Sequence, residues 1–173
     1  MSRVLHLIDS AGLYGAERVI LALLEALRGT DYPGVLGCIR DDRAAVSAVA
    51  EEAGRRGIDV AEILVRSGLR PSGFGALRRA VAETGAGIVH THGYKPDFLA
   101  GAQPSRRFPV VATVHGWAKS SGGWKNRSYE ALDAWALRRV DRVVAVSEGV
   151  KRDLKVRGVA ANVSVIHTGI ATT

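Results

Sequence analysis

Short apolar runs alternate along this chain with longer segments in which apolar residues recur with helical spacing. In the first of these segments Ile20, Leu23 and Leu27 share one face of a helix. The longer segments predict helices at 16–29, 43–56, 73–85, 95–103, 126–139 and 148–157. The short runs are rich in β-branched residues and predict strands at 3–8, 34–39, 60–65, 87–92, 109–114, 142–147 and 162–167.

Apolar strands that alternate with helices are typical of a parallel sheet that is covered on both faces. We therefore expect an α/β, doubly wound fold in which a mostly parallel sheet of about seven strands carries helices on both sides. The length of 173 residues suits a single domain spanning 1–173. Ligands of such folds bind at the carboxyl ends of the strands, so the residues that follow each strand are the first candidates for a site.

The composition narrows the class of protein. Hydrophobic residues make up 47% and charged residues 24%, as in globular proteins, and no apolar run is long enough to span a bilayer. The first residues lack the pattern of a secretory signal. The single cysteine, Cys38, lies in an apolar run and is predicted to be a small, buried hydrophobic residue. We expect a cytoplasmic protein.

The chain is basic, with 24 Lys and Arg against 17 Asp and Glu and a net charge of +7. This balance favours anionic partners such as phosphorylated substrates or acidic lipid headgroups. Nucleic acid is not expected, since no nucleic-acid-binding motif is present. The last predicted helix carries Lys151, Arg152, Lys155 and Arg157, which favours a solvated face and leaves peripheral contact with the inner face of a membrane open.

Two glycines mark the loop after the first strand, Gly12 and Gly15, with a helix directly behind them. Bare backbone N–H groups at a helix N-terminus suit a phosphate. The spacing is neither that of the dinucleotide fingerprint nor that of a P-loop, which weakens an oxidoreductase hypothesis. A tight turn that requires glycine explains the pattern equally well.

Three histidines follow predicted strands or lie near their ends, namely His90, His92 and His115. Side chains alternate along a strand, so His90 and His92 share a face and His115 could join them as a third nitrogen ligand, as in a zinc hydrolase. We favour a site without metal, with His90 as a hydrogen-bonded core residue. His92 and His115 at the strand tips then suit polar recognition or proton transfer.

The remaining candidates lie around two later loops. Ser147 suits the N-cap of the last helix, and Glu148 complements the dipole of that helix in its first turn. The glycine-rich stretch at 115–124 is typical of a loop at the ligand edge, with Trp117 and Trp124 at its ends. Trp135 is expected to pack inside.

In order and spacing, several stretches together resemble the N-terminal half of glycosyltransferase family 4 enzymes, which have the GT-B fold. The stretches are GLYGAERVILALLEAL, GIVHTHGYKPDFLAG, PVVATVHGW, VDRVVAVSEGV and VSVIHTGI. In that family an N-terminal domain holds mainly the acceptor, and a C-terminal domain holds mainly the nucleotide-sugar donor. The resemblance implies transfer of a sugar to a hydroxyl acceptor, lipid-linked or polysaccharide, with retention of configuration and with the nucleotide-sugar as co-substrate rather than any cofactor.

The resemblance also implies roles for individual residues. Backbone N–H groups of Gly15 and Ala16, with Gly12 in the same loop, would approach the donor diphosphate, and His115 would be the catalytic residue beside the transferred sugar. The residues implied to border the acceptor are Tyr14, His92, Gly93, Tyr94, Lys95, Gly116, Trp117, Lys119, Ser147 and Glu148.

Two departures from the family pattern matter. Where members commonly carry two adjacent glycines this chain has Tyr14 and Gly15, so Tyr14 either points into the acceptor site or restricts the loop. The closing motif reads His167 to Ala171 at the place where the family chain enters its second domain. The resemblance therefore implies a missing C-terminal domain as partner and an inactive fragment, whereas a phosphate-binding or membrane-surface module is the non-enzymatic alternative.

Overall fold

In the computed structural model the described residues are 2–9, 12–41, 46–65, 72–116 and 124–167. They form strands that alternate with helices throughout. In chain order the elements are β1 (Arg3–Ile8), α1 (Gly15–Ala26), β2 (Gly34–Arg40), α2 (Ala48–Arg55), β3 (Val60–Leu64), α3 (Ser72–Thr84), β4 (Ala86–His92), α4 (Tyr94–Gly101), β5 (Val110–Val114), α5 (Trp124–Leu137), β6 (Arg142–Ala145), α6 (Glu148–Val156) and β7 (Val163–Val165).

Every predicted strand and helix is confirmed, with ends that shift by a few residues. The second helix begins at Ala48, later than its predicted start, and residues 43–45 of that prediction lie outside the described part of the chain. Ser47 precedes this helix in an extended conformation, as an N-cap residue does. β6 and β7 are shorter than predicted.

The sheet is wholly parallel, in the order β3-β2-β1-β4-β5-β6-β7. The order reverses between β1 and β4, where the helices leaving the two strands diverge to opposite faces. In the register of the central strands Ile8 lies beside His92, and His92 lies beside Thr113. The carboxyl ends of β1, β4 and β5 therefore meet at one edge.

Side chains alternate between two cores. Ile8 and Leu36 point to one face, where they pack with Ile20 and Leu24 of α1. Strand residues that point to the opposite face, such as Leu5 and Val35, pack in the other core. There they meet apolar residues of α3, α4, α5 and α6, among them Leu77, Leu99, Leu137 and Leu154. Cys38 is buried in the α1 core, as predicted. Within the described ranges no helix is long and apolar enough to cross a membrane.

On the α1 face of the sheet a groove of about 480 Å³ runs beside α1. Apolar side chains such as Val19, Val111 and Val144 line most of it. Imidazoles of His90 and His115 also reach it. The groove therefore extends from the middle of the sheet to its carboxyl edge.

Helices α4 and α5 approach one another at backbone distance. A Cβ atom added to Gly101 would lie 2.6 Å from the backbone oxygen of Ala136, so no larger residue fits without moving a helix. The ring of Trp135 lies 6.2 Å from that of Phe98, with the guanidinium of Arg139 3.7 Å above the Trp135 ring. The packing role predicted for Trp135 agrees with these contacts.

Substituting Gly101→Ala is expected to lower the free energy of unfolding by about 1–3 kcal/mol, because the added methyl group meets rigid backbone. Gly54→Ala in α2 is the matched control, since its Cβ would meet nothing within 4 Å, and it should raise stability by about 0.5–1 kcal/mol. Urea unfolding of both variants checks the pair. Equal effects on the two proteins would contradict the close approach of α4 and α5.

Candidate functional site

A cleft of about 310 Å³ opens where β1, β4 and β5 end. Its walls come from the residue after β1, the first turn of α1, the β4–α4 junction and the end of β5. The predicted residues that line it are Ala16, His92, Gly93, Tyr94, His115 and Gly116, and they are joined by Asp9, Glu17, Asp97 and Asp133. The tips of these three strands thus meet in one polar cleft.

The first turn of α1 presents backbone donors at this edge. The first backbone hydrogen bond of the helix runs from the Arg18 N–H to the Tyr14 oxygen at 3.2 Å, so the N–H groups of Gly15 and Ala16 precede it. A Cβ atom on Gly15 would meet nothing within 4 Å, so packing does not demand glycine there. An anion could approach this open backbone closely.

Glu17 and Tyr14 shape the entrance to α1. The Tyr14 N–H donates to Oε2 of Glu17 at 2.9 Å, and Glu17 is only 6% exposed. The Tyr14 ring itself is exposed and lies over Gly12, where an added Cβ would come within 2.4 Å of the ring. Of the two roles proposed for Tyr14, restriction of the loop agrees with this contact, since neither Tyr14 nor Gly12 lines the cleft.

The junction of β4 and α4 is a one-residue turn at Gly93. Its φ of 101° favours glycine, and the Asp97 N–H donates to the Gly93 oxygen at 2.9 Å to begin α4. This turn places Tyr94 in the wall of the cleft. Beside it, Lys95 Nζ pairs with Asp9 Oδ2 at 3.2 Å and so joins the start of α4 to the end of β1.

Two buried carboxyl groups close the cleft from behind. Asp97 of α4 is 1% exposed, and Asp133 of α5 is also buried. Asp97 accepts a hydrogen bond from the Thr91 hydroxyl and shares another with Asp133. Burial, and then the charge of Asp133, raise the pKa of Asp97 well above its ordinary value of 3.8. We infer that the two carboxyl groups share a proton and link α4 to α5.

A row of imidazoles runs from the middle of the sheet to the cleft. Nδ1 of His6 lies 3.4 Å from Nε2 of His92, and His90 Nε2 lies 2.7 Å from Thr113 Oγ1. The hydrogen-bonded role predicted for His90 agrees with this contact. The ring of His115 follows, with its centroid 5.8 Å from that of His92. His92 and His115 border both the cleft and the apolar groove.

The three histidines that lie close enough to share a metal ion are not the three that the sequence suggested. Among the described residues, the three whose ring nitrogens all lie within 4.8 Å of one another are His6, His90 and His92, with His6 in the place considered for His115. The parallel register pairs His6 with His90 across the neighbouring strands. Sequence reasoning omitted His6 because strand order, which alone makes β1 the neighbour of β4, was not known.

Burial keeps these imidazoles neutral near pH 7. Desolvation, with a smaller effect of neighbouring histidines, lowers the pKa of His6 to about 3 and that of His90 to about 4, and it holds the pKa of His92 well below its ordinary value. Burial also lowers the pKa of His115, while the carboxylate of Glu17 acts in the opposite direction. Nε2 of His115 has no hydrogen-bond partner among the described residues.

Other predicted site residues lie beside the cleft or outside the described part of the chain. Ser147 is the N-cap of α6, accepting from the Val150 N–H at 3.2 Å, and Glu148 lies in the first turn of this helix; neither lines the cleft. The helix nevertheless begins close by, because a Cβ on Gly116 would lie 3.6 Å from Val150. Trp117 and Lys119 fall in 117–123, which the structure does not describe.

Comparison with known proteins identifies the family. Residues 14–173 match Glycosyltransferase Family 4, and the chain belongs to that family. No curated protein matches the chain.

Among solved structures, Anabaena Alr3699/HepE in complex with UDP and glucose has a TM-score of 0.74 at 17% identity and is matched over 98% of this chain and 45% of its own. A glycosyltransferase from Rickettsia africae ESF-5 gives 0.70 at 18% identity, over 98% and 43%. UDP-GlcNAc 2-epimerase from Neisseria meningitidis bound to UDP-GlcNAc gives 0.64 at 13% identity, over 94% and 46%. These likenesses confirm the Rossmann-like fold, and the chain spans less than half the length of each structure.

The buried imidazoles predict that stability falls in acid. As the pH falls below 6.5 the unfolded chain takes up protons that folded His90 accepts only near 4, so the wild type loses stability over this interval. A His90→Gln variant should show a smaller loss, by about 1–2 kcal/mol between about pH 8 and about pH 5. Urea unfolding at both pH values measures the difference. Parallel pH profiles of the two proteins would contradict a neutral, buried His90.

For Asp97 we expect the stability of the folded chain to change with pH in the opposite direction. Its pKa is raised in the folded chain, so the unfolded chain releases this proton first and the wild type loses stability as the pH rises above 3.8. Asp97→Asn keeps hydrogen-bonding groups and removes the charge. The melting temperature of this variant relative to wild type should therefore increase as the pH rises from about 4 to about 7. A constant difference in melting temperature between the two proteins over this interval would contradict the raised pKa of Asp97.

Proposed function

We propose that this chain is the acceptor-side domain of a retaining glycosyltransferase that moves a sugar from a nucleotide-sugar donor to a hydroxyl acceptor. The observation that supports this most directly is the cleft that joins the first turn of α1 to His92 and His115, in a chain of glycosyltransferase family 4. Retention of configuration and the acceptor role follow from the family resemblance.

We assign the donor diphosphate to the start of α1. Cleavage of the bond between sugar and diphosphate leaves negative charge on the departing phosphate. The N–H groups of Gly15 and Ala16 and the positive end of the helix dipole stabilise such charge without reorganising, because they are fixed by the fold. The bound UDP of HepE supports a nucleotide-sugar as donor.

We assign His115 to a position beside the transferred sugar. Its ring is neutral near pH 7, because burial lowers its pKa, and it therefore offers one N–H donor and one acceptor nitrogen. Such a group can orient or polarise a sugar hydroxyl in the cleft. His92 and Tyr94, which line the same cleft, would border the acceptor.

We also propose that the complete enzyme contains a second domain. The chain spans 45% of HepE, which leaves room for a donor-binding domain of similar size. We propose that this domain supplies most contacts to the nucleotide and that residues 1–173 alone do not turn over. No cofactor is proposed, since the nucleotide-sugar is a co-substrate.

The test is acceptor-dependent release of nucleoside diphosphate by the product of the complete reading frame that contains these residues. His115→Ala should lower kcat by about 100-fold or more while the urea midpoint stays at the wild-type value. Product analysis by NMR reports the anomeric configuration, and inversion would overturn the retaining mechanism. Epimerised nucleotide-sugar without transfer to any acceptor would overturn the proposed function itself.

A further inference from the structure

Two tyrosines form an exposed aromatic surface at the mouth of the cleft. Tyr94, the first residue of α4, and Tyr129 of α5 are 50% and 48% exposed, and their ring centroids lie 5.5 Å apart at an interplanar angle of 46°. Tyr94 lines the cleft, and Tyr129 continues the same surface beyond it. We call Tyr94 and Tyr129 the tyrosine pair.

The tyrosine pair is not needed to hold the two helices together. Further along, α4 and α5 are joined by the Phe98–Trp135 ring contact, the Asp97–Asp133 carboxyl pair and the close approach of Gly101 to Ala136. All of these contacts are buried or partly buried, whereas the tyrosine pair leaves half of its surface in solvent. Aromatic rings exposed at the entrance to a polar cavity are typical of a binding surface.

The polar groups beside the tyrosine pair define the chemistry of its ligand. Asp9 and Lys95, paired at 3.2 Å, offer a hydrogen-bond acceptor and a donor next to Tyr94. Behind them His115 has a buried Nε2 without a hydrogen-bond partner among the described residues. A ligand that fits must therefore combine an apolar face for the rings with several hydroxyl groups at its edge.

We propose that the tyrosine pair binds a pyranose ring of the acceptor, so that the acceptor is a glycan. A pyranose presents C–H groups on its faces and hydroxyls around its rim, which matches two exposed aromatic rings beside Asp9 and Lys95. An alkyl chain in this position would take these charged groups and the tyrosine hydroxyls out of water without replacing their hydrogen bonds to it, at a cost in free energy. An acyclic polyol lacks the flat apolar face.

The role of the bound sugar as acceptor rests on the proposed function. Binding of the sugar is measured by itself, without donor. The chain is titrated with gluco-, galacto-, manno- and N-acetylglucosamine-configured disaccharides, and the ring signals of Tyr94 and Tyr129 are followed by NMR. Sorbitol represents an acyclic polyol and octyl phosphate an alkyl ligand. At least one disaccharide should shift both rings saturably, whereas sorbitol and octyl phosphate should not.

Substitutions then test whether stacking carries the binding. Tyr129→Ala should weaken disaccharide binding by about fivefold, and Tyr129→Phe should stay within about twofold of wild type, because the ring and not its hydroxyl makes the contact. Tyr32→Ala, which removes a comparably exposed tyrosine (53%) outside the cleft, is the matched control and should bind as wild type does.

The outcomes separate this inference from the proposed function. It is overturned if no disaccharide shifts the tyrosine rings saturably, if sorbitol or octyl phosphate binds as tightly, or if Tyr129→Ala binds like wild type. Melting temperatures show whether each variant is folded; if the alanine variant is not, Tyr129→Leu, which keeps apolar bulk and lacks the aromatic ring, carries the test and should also weaken disaccharide binding. Disaccharide binding without sugar transfer by the complete protein would remove the proposed function and retain the tyrosine pair as a glycan site.

Discussion

The reversal of strand order between β1 and β4 is the constraint on which the rest of this molecule depends. Helices leave the two strands towards opposite faces, so the carboxyl edge between them stays open as a cleft. Into that opening the fold brings a helix N-terminus from one side and the β4–α4 turn from the other. The proposed sugar transfer would use both, since it must bring a phosphate-bearing group and a hydroxyl to one point.

The interior behind the cleft is polar, which is unusual for the middle of a parallel sheet. Imidazoles and paired carboxyl groups stand where apolar residues would pack, and they are tolerated because each is neutral or shares its proton. Protonation of the histidines lowers stability as the pH falls below 6.5, and ionisation of Asp97 lowers it as the pH rises above 3.8. The fold thus accepts a narrower pH range in exchange for polar groups at the site.

Much of the fold could be predicted from the sequence, because periodicity and β-branched runs report directly on local structure. The strand tips at His92 and His115 were found in this way, and Ser147 was identified as a cap from its position. His6, Asp133 and Tyr129 could not be found, because each matters only through a neighbour distant in the chain: His90 across the β1–β4 pairing, Asp97 across the α4–α5 contact and Tyr94 at the cleft mouth.

The backbone contact between Gly101 and Ala136 has a consequence far from where it lies. It fixes the separation of α4 and α5, whose N-terminal halves carry Tyr94 and Tyr129, and the buried carboxyl pair fixes it a second time nearer the cleft. The backbone positions that carry the two rings are therefore held at a set spacing before any ligand arrives. The proposed sugar ligand would not have to order the helices on binding, so less of its binding free energy would be spent on the protein.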